Sequence, residues 1–372
     1  MLIYRLTHSA LLLGVLQFAQ FGPILLLAPW TGAAADRFNR RRLLLTTQAA
    51  QTTLTAALAG FAFAGLATEQ VVLGFSFVLG ILTALALPAQ QALIASLVDR
   101  DDLPSAVALN SMTYNVARAV GPSLAALFIA AFGVAGAFAV NSVSYLVLAT
   151  AVLIVRPRPQ ERAVSSRLSE SLGLIRREPR LAAYLLIVAV VGFASDPVNA
   201  LAPAFAHEFG HAATVGGFLL GVFGAGAVTA AFVVAGRTAG SRLRMVATLG
   251  LLSFGMIIFS LTPWLPLALV FLFAAGFGYL ASNTSATSRL QLEVDETQRG
   301  RIMALWGIAF LGVRPLASLV DGAIASAAGV RVAGVVLALP ALAVAIAIAL
   351  GSRSGQRTLS VPRRGLGSVP KR

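Results

Sequence analysis

Arg118, Asp196, Arg314 and Asp321 each lie inside an apolar run long enough to cross a bilayer. A charge at mid-bilayer costs roughly 2.5–3.5 kcal/mol on insertion scales, so such residues are normally paired or functional. Three of the four fall at matching depth. Arg118, Asp196 and Arg314 lie about 15 residues from the starts of runs 104–132, 181–205 and 299–327, or about 22 Å at 1.5 Å per residue. Asp321 follows on nearly the same helical face as Arg314. A carboxylate that alternates between a dry, unpaired setting and an arginine-paired one takes up and releases a proton in step with that change. Asp196, Arg314 and Asp321 are therefore the candidate substrate and proton site, with Asp196 or Asp321 as the proton carrier. The alternative is a static ion pair that only holds helices together.

A second constellation sits on a short loop: Gly32, Asp36, Arg37, Arg40 and Arg41. A carboxylate beside guanidinium forks can pair across an interface and separate when the interface opens, which makes this a gating motif. Asp36 also suits the N-terminus of span 299–327, where the helix dipole favours an anion. The plainer reading is a loop whose arginines only set topology. A third pattern, His207-Glu208-Phe209-Gly210-His211, matches H-E-x-x-H. On a helix it would present two zinc ligands and a general base. Gly210 weakens a helix there, however, and His8 is the only other histidine, so zinc proteolysis stays a remote alternative. The glycines of 216–228 resemble a nucleotide fingerprint, but inside an apolar span small residues serve close helix packing. There is no P-loop and no cysteine, so neither a cofactor nor a metal is expected.

The elements that carry these residues are membrane helices. Of 372 residues, 58% are hydrophobic and only 11% charged, too little charge to cover a soluble protein of this size. Eleven apolar stretches are long enough to span: 8–31, 43–65, 71–97, 104–132, 134–155, 181–205, 213–236, 243–261, 266–287, 299–327 and 331–350. Pro23, Pro29 and Pro88 are expected kinks, and Trp30, Trp264 and Trp306 are expected interface anchors. The net charge of +14 is not a nucleic-acid stripe. It recurs in clusters between spans and concentrates in alternate loops: 35–42, 98–103, 156–180, 237–242, 288–301 and the tail. The positive-inside rule makes those loops cytoplasmic. No cleavable leader is needed, because the first run continues to Asp36 without a cleavage site.

The two halves echo one another. Val98-Asp99 precedes a helix with Gly121-Pro122, and Val294-Asp295 precedes one with Arg314-Pro315. GAAADRFNRRR at 32–42 is answered by GRTAGSRLR at 236–244. The plan of two repeated bundles is that of many secondary transporters. On these residues the chain resembles the major facilitator superfamily. Gly32-x-x-x-Asp36-Arg37-x-x-Arg40-Arg41 is similar to its loop signature, with Asn39 where Gly is common. Arg118, Gly121 and Pro122 resemble the helix motif of proton-coupled drug antiporters, with Ala125-Ala126 replacing a Gly pair. LPAQQALIASLV, DDLPSAVALNS and QRGRIMALWGIAFLGVRPLASLVDG resemble the branch of enterobactin and multidrug exporters. Relatives carry Asp and Arg where this chain has Ala86 and Gln90, and they have twelve helices, the first span here matching their second.

The resemblance implies an all-α polytopic membrane protein of the major facilitator fold. Its expected parts are an N-terminal bundle over 1–155, a cytoplasmic linker over 156–180, a C-terminal bundle over 181–351 and a basic cytoplasmic tail over 352–372. The expected activity is proton-coupled efflux of small amphipathic compounds, drugs or siderophore-like metabolites, by alternating access, and not enzymatic. The alternative is a shortened family member that does not transport. Expected partners are a small-molecule substrate, protons and the bilayer of the inner (plasma) membrane. No nucleic acid is expected, and the expected unit is a monomer.

Overall fold

The computed structural model describes residues 2–27, 30–31, 34, 38–95, 97–99, 102–155, 178–234, 241–294 and 296–350. These residues form α1 (Leu2–Thr7), α2 (Ala10–Leu26), α3 (Arg40–Phe63), α4 (Glu69–Ala95), α5 (Leu103–Ile154) and α6 (Pro179–Glu208). There follow α7 (Val215–Val234), α8 (Arg242–Leu261), α9 (Leu265–Leu292), α10 (Glu296–Leu311), α11 (Val313–Ala328) and α12 (Val330–Leu350). Among the described residues, eight helical segments are long and apolar enough to cross a membrane. The linker and tail expected at 156–180 and 352–372 lie almost wholly outside the described residues, which resume at Glu178.

The helices follow the expected spans, with differences that have local causes. The boundary between spans 104–132 and 134–155 falls at Gly133, whose φ of 71° and ψ of 178° interrupt α5. That backbone conformation is open to glycine and strained for other residues. Span 299–327 becomes two helices that meet at Gly312. Pro315 has no N–H, so the Leu311 carbonyl loses its helical donor at that point. Within span 8–31, α2 ends at Leu26 and Trp30 and Thr31 are again helical, and a separate short helix, α1, precedes α2. Pro23 and Pro88 lie inside α2 and α4, whereas Pro29 lies outside the described residues.

α3 has 24 residues but is not apolar enough to count among the eight. Its polar groups point inward: Thr47, Gln48, Gln51 and Thr55 are all buried. Gln51 Nε2 donates to Thr83 Oγ1 on α4 at 3.1 Å, and Ser142 Oγ on α5 donates to the Thr52 carbonyl at 2.9 Å. Hydropathy alone understates such a helix, because its polarity is spent on its neighbours rather than on water.

Packing repeats between the halves. Helix α4 approaches α2 at Gly80, where a Cβ would overlap the Ala19 and Gln20 carbonyl oxygens. Helix α9 approaches α7 at Gly276 in the same way, against the Phe223 carbonyl, and Gly226 of α7 answers against Phe273. Within 216–228, Gly226 and Gly216 therefore serve close packing, Gly216 against the Ala202 backbone. Across the halves, α2 lies along α11 and α5 along α7. At the first crossing Gly14 sits on the Ser318 carbonyl and on Gly322, with no room for a side chain.

Candidate functional site

Helices α6 and α11 bring three of the four expected intramembrane charges together. Asp196 is 1% exposed, Arg314 9% and Asp321 fully buried. Ser318 Oγ donates to Asp196 Oδ2 at 2.5 Å. The Arg314 charge acts on Asp196, and the Asp196 charge in turn acts on Asp321. Neither Asp321 oxygen has a hydrogen-bond partner among the described residues. An unpaired carboxyl in a dry interior is costly as an ion, which sets Asp321 apart from Asp196. Pro197, next to Asp196, leaves the Phe193 carbonyl without a helical donor and loosens α6 beside the carboxyl. Arg118 and Pro122 are described by backbone alone, on α5, while Gly121 is half-buried with open space around its Cα.

Ser318 was not legible as a site residue, although it lies on the Arg314–Asp321 face of α11. It does two things at once. Its hydroxyl holds Asp196 of α6, and its carbonyl forms the seat of Gly14 on α2. A carboxyl deep in one half is thus one residue removed from the surface where the halves meet.

An aromatic ladder leads away from the charges. Phe223 of α7 lies 5.4 Å from Tyr279 of α9, and Tyr279 lies 6.4 Å from Phe310 of α10. Phe310 stacks on Trp306 at 5.0 Å, and the Arg314 guanidinium stands 5.9 Å from the Phe310 ring. Trp306 is half-buried, packed against Phe310 and the core of the protein. Its buried Nε1 has no acceptor among the described residues. Trp30 and Trp264 are 68% and 63% exposed.

Of the loop motif, Gly32, Asp36 and Arg37 lie outside the described residues. Asn39 caps α3, its Oδ1 accepting from the Arg42 N–H at 3.1 Å. Arg40 begins α3. Arg41 reaches back to the end of α5, donating through Nε to the Val152 carbonyl at 3.0 Å and through Nη2 to the Leu153 carbonyl. Arg242 does the same in the second half, where Nε donates to the Ile348 carbonyl of α12 at 2.8 Å. Both guanidiniums satisfy carbonyls that a helix C-terminus leaves without donors.

The H-E-x-x-H reading is overturned. α6 ends at Glu208, and Gly210 adopts φ 75°. The Gly210 N–H bonds the His207 carbonyl and the His211 N–H bonds the Ala206 carbonyl, a helix-terminating turn. His207 and His211 are therefore not one turn apart on a helix, and Glu208 is engaged by Arg331, whose Nε donates to Oε2 at 3.2 Å. The only imidazole recorded against His207 is that of His8, 6.2 Å away, with Tyr4 completing a triangle of rings. Burial, and then the Glu208 carboxylate, hold the Tyr4 phenol above its ordinary pKa.

Residues 1–359 match the family described as transmembrane secretion effector. The staphyloferrin A transporter of Staphylococcus aureus (strain NCTC 8325 / PS 47) is 32% identical over 151 residues, which are 40% of this chain and 37% of that protein. The enterobactin exporter EntS of Shigella boydii serotype 4 (strain Sb227) is 28% identical over 364 residues, covering 91% of this chain and 85% of that one. In fold, the chain is similar to a bacterial homolog of the human lysosomal transporter Spinster in an inward-facing, occupied conformation. The TM-score is 0.74 at 16% identity, over 95% of this chain and 91% of that one.

Proposed function

The chain belongs to the transmembrane secretion effector family of the major facilitator superfamily, and from that premise we propose that it exports small amphipathic compounds in exchange for protons. It is a membrane transporter and not an enzyme. The observation that carries the proposal is the Asp196–Ser318 contact, with Asp321 behind it and Gly14 in front. In this reading Asp196 and Asp321 share the proton traffic. With Asp196 ionised, its charge is held by Arg314 and the Ser318 hydroxyl. Protonation removes the reason for that grip, α6 and α11 loosen, and the α2–α11 seat is free to rock.

The relatives' names give the substrate proposal its direction: one is a staphyloferrin A transporter and the other an enterobactin exporter. Siderophore-like metabolites and amphipathic drugs are thus the proposed cargo. The proposed organisation keeps the bundles at 1–155 and 181–351, with linker and tail on the cytoplasmic side of the inner membrane. The α6–α7 turn then faces outside. The proposed unit is a monomer.

The test uses proteoliposomes holding the full chain, with uptake or release of a fluorescent amphipathic dye driven by an imposed pH gradient. Asp196→Asn and Asp321→Asn are compared with the parent chain at equal reconstitution. Loss of gradient-driven transport in at least one variant supports the proton role. Unchanged transport in both removes it.

A further inference from the structure

His8 and His207 belong to different halves of the molecule and meet at one end of it. His207 is in the last turn of α6, and His8 joins α1 to α2. Their ring centroids lie 6.2 Å apart at an interplanar angle of 71°. Both side chains are exposed, so an ion can reach them from solvent. Two imidazoles sharing one Zn2+ at about 2.0–2.1 Å per nitrogen bring their centroids to about 5–6.5 Å. The observed 6.2 Å spacing falls within that range.

The backbone at His8 is a second, independent observation. Its φ of 50° makes it the one non-glycine residue with positive φ among those described. The left-handed conformation is strained for a residue with a side chain, and helix ends usually place glycine there. The His8 N–H bonds the Tyr4 carbonyl at 2.9 Å, and Ser9 then caps α2. A glycine would make this turn without strain. The imidazole is what the strained position supplies, and the turn delivers it to His207.

We propose that His8 and His207 form a two-imidazole binding site for a divalent transition-metal ion of the Zn2+ or Cu2+ type, which ties α1 to the end of α6. Neutral imidazole is a good ligand for these ions, and water completes the coordination. Glu208 stays with Arg331 and is no ligand, and His211 is turned away by Gly210. The role is a clamp rather than a catalyst. A bound ion joins the two halves at this end and holds it closed, so it slows the transport cycle.

The site is tested by Cu2+ titration of purified full-length protein, read by electron paramagnetic resonance, which counts ligating nitrogens. The parent chain is expected to bind one Cu2+ with two imidazole nitrogens. His207→Ala, and His8→Gly, which keeps the positive φ while removing the ring, are each expected to weaken binding by at least about tenfold, the loss that removal of even an outer-shell partner can cause. His211→Ala is expected to bind as the parent does. A thermal melt shows that each variant is folded, and His8→Gly is expected to melt no lower than the parent. A second readout is dye transport with Zn2+ added on the α6–α7 side: inhibition in the parent and relief in both variants. The proposal is overturned if the two-nitrogen signal survives His8→Gly and His207→Ala, if it disappears with His211→Ala, or if Zn2+ inhibits the variants as strongly as the parent.

Discussion

Ser318 carries more of the account than any charge, because its hydroxyl bonds Asp196 while its own backbone touches the opposite half. Ser318→Ala leaves a buried carboxylate oxygen without its donor, a loss of about 1–3 kcal/mol. Gradient-driven dye transport should therefore weaken and shift in pH dependence. Ser318→Thr keeps the hydroxyl and should retain transport, so the pair separates a positioning role from general damage. If Ser318→Ala transports with the parent's pH profile, the hydroxyl is not part of the coupling. The charged members of this site were legible in the sequence, because charge in an apolar run is rare and helical depth can be counted. Ser318 was not, since a serine in a membrane helix is common, and nothing in its type says that it faces Asp196. The pairing of His8 with His207 was equally hidden, lying between residues distant in the chain. The local match to H-E-x-x-H pointed instead at the wrong partner.

At the scale of helices, the two halves are held by the same devices at matching places. Arg41 closes the end of α5 and Arg242 closes the end of α12. A cation at a helix C-terminus contributes roughly 0.3–1 kcal/mol when exposed and up to ~2 kcal/mol when partly buried. Arg41→Ala and Arg242→Ala should each lower thermal stability in detergent by that order, with little effect from Leu243→Ala, whose side chain is 77% exposed. Equal melting of all three would deny the caps. The repeat itself was visible in 32–42 and 236–244, but its purpose was not, since sequence spacing does not show which carbonyls a guanidinium will reach. The crossing of α2 and α11 yields a sharper expectation. Any side chain at Gly14 must push against backbone, and overpacking of this kind costs about 1–3 kcal/mol. Gly14→Leu should fold less stably and transport poorly, whereas Gly60→Leu, with open space around it, should do neither. Comparable transport by both variants would mean that the crossing is not a moving contact. Helix breaks followed similar logic: Gly133 was legible because glycine flanked by apolar runs marks a boundary. The break at Gly312 was not, because the consequence of Pro315 depends on which carbonyl it orphans.

For the whole molecule, large apolar side chains stand on the outside, among them Phe63, Phe132, Leu127, Ile154 and Phe232, each more than 60% exposed. A surface of this kind belongs in lipid. The absence of cysteine lets topology be read directly by single-cysteine labelling with an impermeant reagent. Ala212→Cys should label in intact cells and Ser165→Cys only after the membrane is opened; the reverse pattern would invert the proposed orientation. Composition and charge placement made the membrane spans and their topology legible from the chain alone, and the loop motif at 32–41 with the Gly121-Pro122 helix carried the family resemblance that implied the fold. The substrate was not, because permissive apolar walls are built from the same residues as lipid-facing ones. The aromatic ladder emerged only when Phe223, Tyr279, Phe310 and Trp306 were brought together from three helices. The central claim is that this chain couples export to protons, and its most direct test is ethidium efflux from cells expressing it, with and without a protonophore. The account predicts that expressing cells retain less ethidium than controls and that the protonophore abolishes the difference. Efflux that persists at full rate with the proton gradient collapsed, or retention equal to controls throughout, would contradict it.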